Sequence, residues 1–198
     1  MDIETPHGLA RAHVRRRPKP RGLLVLGHGA GGGIGAPDLA AAARAAEDES
    51  WAVALVEQPY RVAGRRSPAP AAQLDAAWIA VVTRLRRGAL ARVPLVAGGR
   101  SSGARVACRT AFETGAAGVL CLAFPLQPPR RSGPAAASRL PELDGVPVRT
   151  LVVQGESDPF GMPPPGAHRT VVRVRGDHSL RSDAPALVAA VRDFLSSV

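Results

Sequence analysis

Gly99-Arg100-Ser101-Ser102-Gly103 fits the pattern Gly-x-Ser-x-Gly. A serine hydroxyl is a poor nucleophile until a base takes its proton, and the base works best when a carboxylate fixes its tautomer. The pattern therefore calls for a histidine and an acid elsewhere in the chain. Two histidines follow Ser101, namely His168 and His178, and three carboxylates stand near them: Glu156, Asp158 and Asp177. Such a set performs acyl transfer. The serine attacks a carbonyl, the histidine shuttles the proton, and backbone N–H groups receive the developing oxyanion.

The elements around these residues alternate between strand and helix. Residues 23–26 (Leu23-Leu24-Val25-Leu26) are a short unbroken apolar run, as expected of a strand buried on both faces. The run ends in Gly27-His28-Gly29-Ala30-Gly31-Gly32-Gly33. Alanine-rich residues 37–48 read as a helix with Pro37 in its first turn. Residues 51–56 read as a strand closed by Pro59, 61–70 as a Pro/Gly/Arg-rich loop, and 71–87 as a helix. In that helix Leu74, Ala77, Trp78, Val81, Val82 and Leu85 recur at helical spacing. Strand 93–97, helix 102–114 and strand 119–123 follow. Six prolines in 125–147 mark a lid-like surface excursion with one helical turn. Strands 148–153 and 170–174 and a helix at 184–195 complete the chain. In that last helix Leu187, Val188, Val191, Phe194 and Leu195 form the core stripe.

Repeated strand–helix units predict an α/β fold with a mostly parallel, doubly wound sheet flanked by helices. One domain over residues 1–198 is expected, with 1–21 forming either an edge hairpin or a basic arm.

These elements sort the chemistry. A strand runs straight into the serine pattern and a helix runs straight out, the setting a nucleophile elbow requires. So tight a turn needs small residues two before and two after the serine, and Gly99 and Gly103 supply them. On such a scaffold the order along the chain is serine, acid, histidine. Asp158 follows strand 148–153 and His178 follows strand 170–174. His168 precedes that strand, at the wrong edge of the sheet. Glu156 competes with Asp158, and Asp177 adjoins His178 too closely to face it. The predicted catalytic residues are Ser101 as nucleophile, His178 as base and Asp158 as acid. The predicted oxyanion donors are the Ser102 N–H, at the helix start, and the Ala30 N–H, with Gly31 in reserve. His28 orders the glycine loop. Arg100 either braces the elbow by hydrogen bonds or attracts an anionic substrate, and bracing is the preferred reading.

Gly27-x-Gly29-x-x-Gly32 also matches a dinucleotide-binding fingerprint, with Glu57 as the ribose-binding acid. That alternative leaves Ser101, Asp158 and His178 unexplained, so no cofactor is expected. No Gly-Lys-Ser/Thr follows the loop, and no Cys/His spacing suits a metal. The formal net charge is +10. Lys19 is the only lysine, however, and aromatics make up 4% of the chain. Arginine bias and scarce stacking surfaces argue against a nucleic-acid partner, even with Arg15-Arg16-Arg17-Pro18-Lys19-Pro20-Arg21. Cys108 and Cys121 are expected as a reduced pair in the core. The N-terminus carries no signal-peptide pattern and no run is long enough to span a membrane, so a cytoplasmic enzyme is expected.

Taken together, several segments resemble one family. They are His28-Gly29-Ala30-Gly31-Gly32, the stretch Gly98–Ala107, Phe124-Pro125-Leu126-Gln127-Pro128-Pro129, the stretch Val153–Gly161, and Asp177-His178-Ser179. In order, from about residue 22 to the C-terminus, they are similar to small bacterial α/β-hydrolases of the dienelactone-hydrolase-like group. Within it they look most like the branch related to the testis-expressed protein and the KANSL chromatin-complex subunit of animals. The resemblance implies an α/β-hydrolase fold with Ser101, Asp158 and His178 as the triad, and no settled substrate. The complete triad in its order is what points to an esterase-like hydrolase of a small acyl substrate, an ester or thioester. Gln127 stands where the family tends to have a histidine. Some relatives serve as subunits of protein complexes, so a non-catalytic binding or adaptor module is the alternative.

Overall fold

The computed structural model describes residues 1–128 and 137–198. Its centre is an eight-stranded sheet in the order β1-β2-β4-β3-β5-β6-β7-β8. The strands are β1 (Asp2–Thr5), β2 (Gly8–Arg15), β3 (Leu23–Gly27), β4 (Ala52–Glu57), β5 (Leu95–Arg100), β6 (Gly118–Leu122), β7 (Arg149–Gly155) and β8 (Arg169–Val174). From β4 to β8 all neighbours are parallel. The β1–β2 hairpin is antiparallel and adds to the sheet through β2–β4, with Arg11 opposite Glu57.

The helices are α1 (Pro37–Asp48), α2 (Pro59–Val62), α3 (Ala71–Leu85), α4 (Ser102–Arg109), α5 (Leu140–Asp144) and α6 (Ala184–Ser196). Strand side chains alternate between two cores. Leu23 and Val25 of β3, with Ala52, Ala54 and Val56 of β4, join Leu74, Trp78, Val81, Val106 and Ala107 of α3 and α4. Leu24, Leu26, Val53 and Leu55 join Leu39, Leu187, Val191 and Leu195 of α1 and α6. Both faces are covered, so these strands read as unbroken apolar runs. In α6 the stripe is narrower than expected, because Val188 and Phe194 are only partly buried.

Several boundaries differ from the sequence expectation. Pro59 does not merely close β4; it opens the short helix α2, where its fixed φ and missing N–H suit a first turn. The helix expected over 102–114 ends at Arg109. Thr110 Oγ1 donates to Val106 O (2.8 Å) and Thr114 Oγ1 to Thr110 O (2.8 Å), while Gly115 turns at φ +61°. Such back-bonding hydroxyls weaken the end of a helix. A 3₁₀ turn, Gly88–Arg92, precedes β5. The excursion expected over 125–147 contains α5, fastened to α4 by Arg105–Glu142 (2.6 Å) and Arg109–Glu142 (3.3 Å). Its residues 129–136 lie outside the described residues.

The basic run starts at the end of β2 and lies against α1. Arg15 meets Glu47 at 3.1 Å, Arg17 Nη2 donates to Glu47 O (2.8 Å), and Arg21 pairs with Glu49. Cys108 and Cys121 are buried free thiols with sulfurs 3.4 Å apart. Among the described residues, no helix is long and apolar enough to cross a membrane, and no cluster of His, Cys, Asp or Glu is arranged to hold a metal ion.

The topology chooses the site. From β3 the chain moves to β4 on one side and later to β5 on the other. Beyond the C-terminal ends of β3 and β5, where the strand order reverses, a doubly wound sheet leaves a crevice. The glycine loop after β3 and the serine pattern after β5 both open there.

Candidate active site

Ser101 sits between β5 and α4 with φ +53° and ψ −109°. A non-glycine residue held there costs about 1–3 kcal/mol. The turn is held by Ser101 N donating to Leu122 O (2.9 Å) and Arg105 N donating to Ser101 O (3.2 Å). The flanking glycines are required by close backbone approach. A β-carbon on Gly99 would lie 2.5 Å from Gly27 O, and one on Gly103 2.4 Å from the same oxygen. The last residue of β3 therefore packs directly against both arms of the elbow.

His178, after β8, reaches across the end of the sheet. Its Nε2 lies 3.0 Å from Ser101 Oγ and its Nδ1 2.8 Å from Asp158 Oδ2. The Asp158 side chain is fully buried. Gln154 Nε2 also donates to its Oδ2 (2.8 Å), and Phe160 N donates to its Oδ1 (2.9 Å). The Asp158 carboxylate accepts on both oxygens, so Nδ1 is the ring nitrogen that donates to it and Nε2 is left to accept from the serine hydroxyl. Phe160 packs edge-on against the imidazole, with centroids 4.6 Å apart.

The competing residues lie elsewhere. Glu156 is exposed, and so is His168, before β8 at the opposite end of the sheet. Asp177 turns away: its Oδ1 accepts from Ser179 Oγ (2.6 Å) and Ser179 N (2.8 Å). Those bonds hold its carboxyl below the usual carboxylate range.

The glycine loop abuts the serine, since a β-carbon on Gly29 would lie 3.6 Å from Ser101 Cβ. Buried His28 orders this loop. Gln58 N donates to His28 Nε2 (3.2 Å), so Nδ1 is the protonated nitrogen and donates to Gly29 O (2.9 Å). Burial pushes the His28 pKa down and keeps the ring neutral. Tyr60 Oη donates to Ala30 O (3.1 Å), fixing the carbonyl of the residue whose amide is the second expected oxyanion donor. The Ser102 amide opens α4, ahead of any intrahelical acceptor. Glu57, the ribose-binding acid of the dinucleotide alternative, is engaged at 2.8 Å by His13 Nε2.

Arg100 braces the elbow. Its Nη2 donates to His178 O (2.9 Å), and its Nε lies 2.8 Å from Asp38 Oδ2, at ion-pair distance but out of hydrogen-bond alignment. Asp38 and Gln154 were not singled out from the sequence. Asp38 resembles any acidic residue in a first helical turn, and Gln154 any polar residue ending a strand. A cavity of about 200 Å³ at the β1–β2 turn, walled by Leu9, Tyr60 and Leu74, is lined by none of Ser101, Asp158 and His178.

Residues 20–184 match the model of the alpha/beta hydrolase domain family. The chain belongs to that family. Solved α/β-hydrolases share its fold at low identity. Est1E from Butyrivibrio proteoclasticus, solved with ferulic acid bound, superposes with a TM-score of 0.79 at 14% identity, covering 100% of this chain and 98% of that one. XC6422 from Xanthomonas campestris, an α/β serine hydrolase without a lid, gives 0.72 at 19% identity over 98% and 93% of the two chains. Dienelactone hydrolase from Anabaena variabilis gives 0.72 at 14% identity over 100% and 94%. No curated protein sequence matches the chain significantly.

Proposed function

We propose that this α/β-hydrolase is a serine hydrolase that cleaves a small carboxylic ester or thioester through an acyl-enzyme on Ser101. The observation that carries the reading is the unbroken chain from Ser101 Oγ to His178 Nε2 (3.0 Å) and from His178 Nδ1 to Asp158 Oδ2 (2.8 Å). As Ser101 Oγ attacks the acyl carbon, His178 Nε2 takes its proton. Asp158 stabilises the imidazolium formed. The Ser102 and Ala30 amides receive the oxyanion. His178 then protonates the leaving alcohol or thiol. A water, deprotonated by His178, attacks the acyl carbon; the acyl–Oγ bond breaks, Ser101 Oγ takes the proton back from His178, and the acid leaves. On the residues that carry the resemblance, we place the chain near the KANSL and testis-expressed branch. Exposed Gln127 replaces that branch's histidine and takes no part in these steps.

The test is labelling by a fluorescent fluorophosphonate. Wild type is expected to label, Ser101→Ala not at all, and His178→Ala at a rate lower by about 10⁶-fold. Well-folded wild type that does not label refutes the proposal and brings the adaptor reading forward.

A further inference from the structure

One guanidinium touches three loops. Arg100 belongs to the elbow that carries Ser101. Its Nη2 donates to His178 O (2.9 Å), and its Nε lies 2.8 Å from Asp38 Oδ2 in the first turn of α1. A β-carbon on Gly29, in the glycine loop, would fall 2.9 Å from its Nη1. The loops bearing the nucleophile, the base and the expected oxyanion donors thus meet on the side chain preceding Ser101.

The His178 loop depends on such a hold. It turns at Gly176 (φ +108°) and again at Leu180 (φ +52°). Among the described residues, His178 O accepts from no donor other than Arg100. Asp158 and the edge-on Phe160 hold the ring itself, but a His178 backbone free to shift would still swing Nε2 off Ser101 Oγ by a pivot about the Nδ1 bond. Anchoring the His178 peptide removes the pivot. Asp38 in turn fixes the guanidinium. Its carboxylate is fully buried, its Oδ1 accepts from Leu39 N (2.9 Å), and Oδ2 faces Arg100. Burial pushes the Asp38 pKa up, and the Arg100 charge opposes that rise. Lysine cannot replace this arrangement, because a single ammonium cannot serve two partners through separate nitrogens as the planar fork does.

We infer that Arg100, seated on Asp38, is a positioning residue that holds His178 Nε2 on the Ser101 hydroxyl. The inference rests on the serine-hydrolase reading above, and it concerns the acylation step rather than substrate binding.

The first variant is Arg100→Lys, which keeps a cation beside Asp38 and loses the bond to His178 O. A melting temperature near that of wild type is expected. Acylation, read as the fluorophosphonate labelling rate and as kcat for p-nitrophenyl acetate, should fall on the order of 10²-fold, the cost of a misplacement near 1 Å. KM should stay within about twofold of wild type, because a residue acting through His178 makes no uniform contribution to binding. The second variant, Arg100→Gln with Asp38→Asn, removes both charges and leaves no unpaired buried carboxylate. It should show the same loss of acylation in a folded protein. A crystal structure of either variant should show His178 Nε2 drawn away from Ser101 Oγ. Wild-type labelling by folded Arg100→Lys overturns the inference, as does a rise in KM with kcat unchanged. Wild type that itself fails to label instead refutes the serine-hydrolase reading, and the His178 displacement still tests the hold.

Discussion

Replacing Gly103 by alanine tests whether backbone contact builds the elbow. The new methyl carbon would lie 2.4 Å from Gly27 O, 2.5 Å from Gly27 C and 3.0 Å from His28 O. All three are backbone atoms of β3 and the loop after it, so no side chain can swing aside. Relief requires the start of α4 to move away from β3. Overpacking of that kind costs about 1–3 kcal/mol, sometimes more. Alanine recovers part of this, up to about 1 kcal/mol, through its better helix propensity. The net expected loss is about 1–2 kcal/mol, or roughly 2–8 °C in melting temperature for a domain of this size. Gly33→Ala is the internal control. No atom lies within 4 Å of its would-be β-carbon and its φ is ordinary, so the change should be neutral or stabilise by about 0.4–1 kcal/mol. Thermal melts followed by circular dichroism, with fluorophosphonate labelling at 25 °C, give both readings. Gly103→Ala should melt lower and label more slowly. If it melts within 1 °C of Gly33→Ala, close approach at Gly27 is not what demands a glycine.

Two further outcomes are expected. Gln154→Leu removes the amide that donates to Asp158 Oδ2 and Gly161 O, and loss of a hydrogen bond to a charged group costs about 1.5–3 kcal/mol. Both melting temperature and labelling rate should fall, and an unchanged labelling rate would remove Gln154 from the support of the acid. Burial depresses the His28 pKa below its ordinary 6.5, so below that pH the unfolded chain binds a proton that the folded protein refuses. The stability tied to this difference is fully present above pH 6.5 and declines as pH falls toward the folded-state value. Melts between pH 8 and pH 5 should show His28→Asn with a flatter profile than wild type, and parallel profiles would contradict the assignment.

What could be read without the structure follows from how local each signal is. The runs 23–26 in β3 and 52–56 in β4 are apolar at every residue because helices cover both faces, and the strand–turn–helix around Ser101 is contiguous in sequence. The choice of His178 over His168 needed only the order of elements. Asp38 was opaque because its partner is 62 positions away, and a first-turn aspartate has an ordinary solvent-exposed explanation. Gln154 was opaque for a different reason. Its role comes from three acceptors, Phe124 O, Asp158 Oδ2 and Gly161 O, which only the meeting of β6, β7 and the following turn brings together. The overlong helix after Ser101 shows the limit of periodicity, since Thr110 and Thr114 spend their hydroxyls on backbone carbonyls of the same turn.

The distribution of buried polar groups bears on whether this end of the sheet is there for folding or for chemistry. Of the nine buried polar or charged residues described, five are His28, Asp38, Gln58, Gln154 and Asp158. All five stand at or just beyond the C-terminal ends of the parallel strands, and each is bonded into a loop that reaches Ser101 or His178. A buried polar group without a partner costs about 1–3 kcal/mol, and even a satisfied one gains little over an apolar residue of the same shape. The other four are three threonines, Thr110, Thr114 and Thr150, whose hydroxyls donate to nearby backbone carbonyls, and Arg169, which pairs with Asp144. A chain selected only to fold had no need to gather a neutral histidine, an ion-paired aspartate and two amides around a serine at positive φ. Local rules broken together in one place mark a site whose geometry is maintained at some expense to stability. The expected weakness of Gly103→Ala and Gln154→Leu follows from the same reasoning, because both sit where the fold has least room to compensate.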